Sequence, residues 1–155
     1  SFPTRRSSDL LEAWRLLASE GIRPSLVLTL SQRDSGLASE IDCVSKAEGL
    51  DIRNIGQLPH DELLRLYAGV KALVFPSLSE SLGLPLIEAD AMGLPIIASE
   101  MDYVRDVCVP VETFDPSSAV SIARAIKRFI GRPEAVCRPF TPEYIVNHLL
   151  SYVSG

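Results

Sequence analysis

"KALVFPSLSESLGLPLIEADAMGLPIIAS", Lys71–Ser99, is the stretch that decides the fold. The apolar run "ALVF" halts at Pro76, a polar loop leads to Gly83, Pro85 opens a short helical segment closed by Gly93, and "LPIIAS" is a second apolar run. Short apolar runs bounded by proline and glycine read as buried strands. Proline is favoured in the first helical turn and glycine just past the last. A strand, a loop, a helix and a strand in that order make a βαβ unit with parallel strands.

The same alternation extends in both directions. Upstream, "LLEAWRLLASEG" predicts a helix capped at Gly21, "SLVLTL" a strand, and "SGLASEIDCVSKAEG" a helix with Ser35 as N-cap. "DIRNIG" is a strand ending at Gly56, and "PHDELLRLYAGV" an amphipathic helix opened by a proline and two acids. Downstream come a short helix at "MDYVRDV", a strand at "VPVETF", a helix in "DPSSAVSIARAIKRFIG" started by Asp115 and Pro116, and a last helix in "TPEYIVNHLLSYV". Strict alternation predicts an α/β fold, a Rossmann-like doubly wound parallel sheet.

Composition excludes several function classes. The 155 residues suffice for one domain, and 46% hydrophobic content supplies a core. A net charge of −5 argues against nucleic acid held by electrostatics. Cys43, Cys108 and Cys137 form no Cys-x-x-Cys, so neither a metal nor a disulfide framework is expected, and a reducing cytoplasm fits. No apolar run is long enough to be a transmembrane segment, and no leader with an apolar core is visible.

In a doubly wound sheet, ligands bind beyond the carboxyl ends of the strands. The loop "PSLSESLGL" lies there, and the N–H groups of Ser81, Leu82, Gly83 and Leu84 converge at a helix N-terminus, a place for anions and phosphates above all. Glu80 precedes this nest, and Glu88 sits about one turn into the helix. Carboxylates beside a phosphate make chemical sense where they accept hydrogen bonds from neighbouring hydroxyls. A sugar nucleotide carries hydroxyl-bearing rings on both sides of a diphosphate. The bland alternative also fits: Glu88 complements the helix macrodipole and Glu80 is a solvated loop acid.

Val74–Ser99 resembles the signature of the retaining glycosyltransferases of family 4, which have the GT-B fold. Pro76, Ser77, Glu80, Gly83, Leu84, Pro85, Glu88, Ala89, Ala91, Gly93, Pro95, Ala98 and Ser99 fall in place. Ser81 stands where glycine is usual, Leu82 where an aromatic is, and Ile97 where valine is. The flanking "IGQLPHDELLRLYAGVKALVFPS" and "FDPSSAVSIARAI" are similar to that family too. The resemblance implies the C-terminal, nucleotide-sugar donor-binding half of such an enzyme. Glu88 would bind the ribose, and Glu80 would be the catalytic-site carboxylate on the transferred sugar. Backbone amides of residues 81–84 would serve sugar and diphosphate, and Gly56, Gln57 and Leu58 would cradle the base. No metal and no cofactor are implied, since nothing resembles the Asp-x-Asp metal motif. The acceptor, a sugar, glycan or lipid, would be held by an N-terminal domain absent from this chain, which could also bring the protein to a membrane surface.

"SFPTRRSSDL", residues 1–10, resembles the translation of a widely used sequencing adapter and is expected to be disordered, leaving 11–155 as the domain. The family's Arg/Lys pair, which neutralises the leaving diphosphate, belongs just before "LLEAWRLL", where this segment stands. Arg5 and Arg6 are not assigned that role, and the fragment alone is expected to be close to inactive. Two rival readings remain: a GT-B sugar-nucleotide epimerase, and a non-catalytic nucleotide-binding α/β module.

Other residues read as structural. His60 is a solvated residue at a helix start, His148 packs at an edge, and Trp14 and Tyr67 belong to the core. Asp102 and Asp106 are surface charges, Asp115 is a helix cap, and Lys127 and Arg128 lie on an exposed helix face.

Overall fold

The computed structural model describes residues 3–77 and 83–132. The segment 141–153 expected to be helical, His148 and Cys137, together with Glu80, Ser81 and Leu82, lie outside the described residues.

The elements alternate as the sequence predicts. They are α1 (Pro3–Ser19), β1 (Leu26–Leu28), a 3-10 turn (Gln32–Asp34), α2 (Ser35–Glu48), β2 (Ile52–Asn54) and α3 (His60–Gly69). After these come β3 (Leu73–Phe75), α4 (Leu84–Ala91), β4 (Ile96–Ser99), α5 (Asp102–Val107), β5 (Glu112–Phe114) and α6 (Ala119–Ile130). Every strand pairing is parallel, but the ladder falls into two parts, β1–β2 and β3–β4–β5, rather than one continuous sheet. A shared apolar layer joins them, since Leu26 and Ile52 belong to the same buried cluster as Ile97 and Phe114.

The strand period of two sorts side chains to the two faces. Ile97 packs with Leu17 and Trp14 of α1, Ile41 of α2 and Ile122 of α6. Its neighbours Ile96 and Ala98 pack with Tyr67 of α3, Leu86 and Ala89 of α4 and Val104 of α5. All four residues of β4 are buried, as befits a central strand covered on both sides. Each fully buried Leu or Ile contributes roughly 1.5–3 kcal/mol relative to exposure. Trp14 is a core residue as expected, and its indole Nε1 donates to the Pro24 carbonyl at 2.8 Å.

Local chemistry sets the helix ends, with three departures from the sequence reading. Gly21, at φ +80°, closes α1 in a Schellman motif, with Ile22 N–H on Leu17 O and Gly21 N–H on Ala18 O, both at 3.0 Å. At the other end α1 begins at Pro3, where residues 1–10 were expected to be disordered, and Leu10 is buried in the core. Burial of Leu10, Leu11 and Trp14 fixes a helical nucleus, and each further residue then gains a hydrogen bond without a new nucleation cost. Ser35 is the first residue of α2 rather than its cap; Asp34 stands at the cap position and makes no side-chain capping bond there. Its carboxylate instead accepts from the Ser31 hydroxyl at 2.7 Å. Asp115 is likewise not the cap of α6. Ser118 is, with its Oγ accepting from Ser121 N–H at 3.2 Å, while Asp115 Oδ1 accepts from Ser117 N–H at 2.9 Å and holds the preceding turn.

Candidate functional site: the carboxyl ends of the parallel strands

β3 ends at Phe75, and Ser77 beyond it is buried. The Tyr103 hydroxyl of α5 donates to the Ser77 carbonyl at 2.9 Å and pins the start of the loop. The chain is described again from Gly83, which takes φ +60° and ψ 34° at the N-cap of α4. Left-handed backbone at this point suits glycine, and a Cβ would have room, meeting Leu86 Cδ1 at 3.6 Å and Val107 Cγ2 at 3.7 Å. Leu86 and Ile87 N–H both bond the Gly83 carbonyl, and Pro85 has no N–H to offer. The N–H groups of Gly83 and Leu84 thus have no partner within the helix, as its first turn requires. Leu84 is exposed beside them.

Glu88 follows one turn later, with its side chain only 15% exposed. Its carboxylate lies between α4 and α3, with Oε1 3.4 Å from His60 Nδ1. Burial holds the Glu88 pKa above the usual carboxylate range, and His60 acts in the opposite direction. Tyr67, two turns along α3, is buried against the same group. Burial first, then the Glu88 charge, pushes its phenol up to about 12. Tyr67 is therefore core, as the sequence reads, but core that touches the site.

A second wall comes from the loop after β2. Gly56, at φ +78°, and the exposed Gln57 line a cleft of about 820 Å³ together with Ser31, Arg33 and Ser35 from the β1–α2 connection. Asn54 ties the two loops together, since its Oδ1 accepts from Leu30 N–H at 2.9 Å and Gly56 N–H at 3.2 Å. Leu58 is half-buried and is not among the residues lining this cleft. The segment Gly56–Pro59 leads directly into His60, so the cleft wall and the Glu88 carboxylate are joined by a few residues of chain. Among the described site residues, the fold brings Gly83, Leu84, Glu88, Gly56 and Gln57 to the carboxyl-end side of the strands.

His60 is the residue that sequence reasoning underrated. It is 66% exposed, as a solvated helix start should be, yet it also faces Glu88. The available signal was its spacing of seven from Tyr67, two turns on one face of α3. A smaller cleft of about 520 Å³, also missed, lies between Glu100, Met101, Thr113, Phe114 and Ser117. Glu100 is held below the usual carboxylate range by the Thr113 hydroxyl and then by Arg105, whose Nε lies 2.8 Å from Oε1. Asp102 and Asp106 are exposed, as read. Lys127 and Arg128 are exposed but paired, with Glu20 and Glu112 respectively. Burial pushes the Cys108 thiol up to about 11, which leaves it inert at neutral pH. Among the described residues no three His, Cys, Asp or Glu side chains gather as a metal site would, and no helix is long and apolar enough to cross a membrane.

Comparison with known proteins agrees with the fold. The O-antigen chain mannosyltransferase B of Escherichia coli is 32% identical over 108 residues, covering 68% of this chain and 28% of the mannosyltransferase. The solved C-terminal domain of a group 1 family glycosyl transferase from Francisella tularensis superposes with a TM-score of 0.68 at 25% identity, over 83% of this chain and 70% of that one. Sucrose-phosphate synthase from Thermosynechococcus elongatus shares the fold, with a TM-score of 0.64 at 24% identity over 92% of this chain and 38% of that one. The chain spans less than a third of the length of the curated relatives named first among its matches. The family model described as "Glycosyl transferases group 1" matches residues 2–138, and the chain belongs to that family.

Proposed function

We propose that this chain is the donor-binding half of a retaining, family 4 glycosyltransferase, which moves a sugar from a nucleotide-diphosphate sugar to a sugar, glycan or lipid acceptor. One observation carries the reading. A nearly buried carboxylate, Glu88, stands one turn inside a helix opened by left-handed Gly83, whose first N–H groups have no partner within the helix, and it faces His60 at the end of the loop whose Gly56 and Gln57 line a cleft after β2. Anion donors next to a carboxylate acceptor suit a ligand that joins phosphate to hydroxyls.

In this reading Glu88 accepts from the ribose hydroxyls, and the N–H groups of Gly83 and Leu84, with those of Ser81 and Leu82, receive the diphosphate. Gly56, Gln57 and Leu58 take the base, and Glu80 holds the transferred sugar. No metal is assigned a part: the diphosphate charge is met by backbone dipoles here and by a basic pair expected on a loop before α1 in the complete enzyme. The acceptor site belongs to an N-terminal domain, so the chain alone binds donor and turns over little. A mannosyl donor is one candidate, because the first two curated relatives are named mannosyltransferases. The cysteine usage fits a reducing cytoplasm.

Titration calorimetry with UDP, GDP and ADP checks the reading. One of the three should bind, and Glu88→Ala should weaken it by roughly 10-fold to 100-fold, the loss of hydrogen bonds to a charged group. Equal affinity in wild type and variant would remove the reading's main support.

A further inference from the structure

We propose that His60 is a positioning residue for Glu88: from the first turn of α3, with Nδ1 3.4 Å from Oε1, it holds the Glu88 carboxylate in place to accept two hydroxyls of a bound nucleotide. The inference rests on the donor-site reading and adds to it a residue and a pH dependence.

A carboxylate that accepts from two vicinal hydroxyls must be ionised, because its protonated form turns one oxygen into a donor. Glu88 sits in surroundings that oppose ionisation, with a side chain 15% exposed. Something has to offset that burial. The titratable groups that act on it among the described residues are Tyr67 and His60, both of α3. Tyr67 is buried and neutral in the physiological range, so it adds no charge. On α4 itself the next acid, Asp90, acts on the Cys108 thiol. His60 is left as the one group of this set able to carry positive charge. Its placement fits that role. Nδ1 lies 3.4 Å from Glu88 Oε1, and the ring is 66% exposed. His60 stands on the Oε1 side of the carboxylate, and each carboxylate oxygen has more than one acceptor lone pair.

The pair therefore gives nucleotide binding an acid limit. Affinity is present while Glu88 is ionised and is lost as pH falls through its pKa. Burial moves that limit up and His60 moves it back down. The test is nucleoside diphosphate affinity of the chain, using the best of UDP, GDP and ADP, followed from about pH 5 to about pH 8. His60→Ala should weaken binding by about twofold to fivefold at neutral pH, the range for a partly solvated pair. It should also shift the acid loss to higher pH. His60→Lys, a cation across the whole range, should return the acid limit to the wild-type position or below. Superimposable profiles for wild type, His60→Ala and His60→Lys, with binding lost in Glu88→Gln, would overturn the role of His60 and leave the donor site intact. Unchanged affinity in Glu88→Gln as well would overturn both. Amide spectra of the variants check that each is folded; because the side chain is largely exposed, His60→Lys carries the test even where His60→Ala perturbs the helix start.

Discussion

The two faces of the parallel strands differ in what they bury. On the side of α1, α2 and α6, the buried cluster is Leu, Ile, Trp, Phe and Ala with the Ser45 hydroxyl beside it, and the nearly buried carboxylate there, Glu112, is paired with both Arg128 and Arg132. On the side of α3, α4 and α5, aliphatic packing is interrupted by a phenol, a thiol and a nearly buried carboxylate, and burial raises the pKa of all three. The difference lies in the partners: Glu112 has two arginines, whereas Glu88 faces a histidine, and burying an ionisable side chain without a fixed countercharge works against its charged form. The concentration of phenol, thiol and carboxylate on one face is the pattern expected if that face carries the proposed donor site.

Substitution at the centre of the first face should have the largest effect. Leu17 is fully buried, and Leu17→Ala should cost about 2–5 kcal/mol, a large share of a small domain's stability. Chemical denaturation measures it, and nucleotide affinity of the remaining folded protein should be unchanged. Glu88→Gln should do the reverse. Because burial raises the folded-state pKa of Glu88, the folded chain binds more protons than the unfolded one just above the ordinary carboxylate range. Stability from this group is thus present in acid and lost as pH rises through the raised pKa. Removing the charge should raise the melting temperature at neutral pH while nucleotide affinity falls. A variant that loses both would mean that Glu88 is structural.

Smaller effects sharpen the same contrast. Gly83→Ala places a Cβ on left-handed backbone and should cost about 1 kcal/mol in stability. Any relaxation there turns the N–H groups of Gly83 and Leu84, so the phosphate-bearing nucleotide should bind more weakly while the nucleoside does not. At the small end is Ser45, buried in α2 with its Oγ unpartnered. Ser45→Ala removes an unsatisfied hydroxyl and adds a better helix former, and it should stabilise by roughly 0.5–1 kcal/mol without touching binding.

Much of this division was legible in the sequence, because it is written locally. The short apolar run "LPIIAS", opened by Gly93 and Pro95, reads as a strand, and Gly83, Pro85 and Glu88 fall within six residues of one another. Caps were less legible. "SQRDSG" and "DPSSAVS" each offer several Ser and Asp side chains able to cap, and packing of the amphipathic face decides which residue starts the helix. The helical start of α1 escaped notice because "PTRRSSD" has no apolar periodicity; its helicity is carried by the buried turns that follow. The His60–Glu88 approach is a contact between two helices separated by a strand, which no local pattern reports. The break between β2 and β3 in the hydrogen-bond ladder is likewise set by three-dimensional packing.

The donor-site assignment requires that nucleotide bind at the face carrying Glu88. Backbone amide shifts of the isotope-labelled chain, followed while a nucleoside diphosphate is added, answer that without any substitution. Gly56, Gln57, Gly83 and Leu84 should move together, and His60 and Glu88 should move with them. Shifts confined to the cleft of Glu100, Thr113, Phe114 and Ser117, with Gly83 and Glu88 still, would place the nucleotide elsewhere and contradict the donor-site assignment.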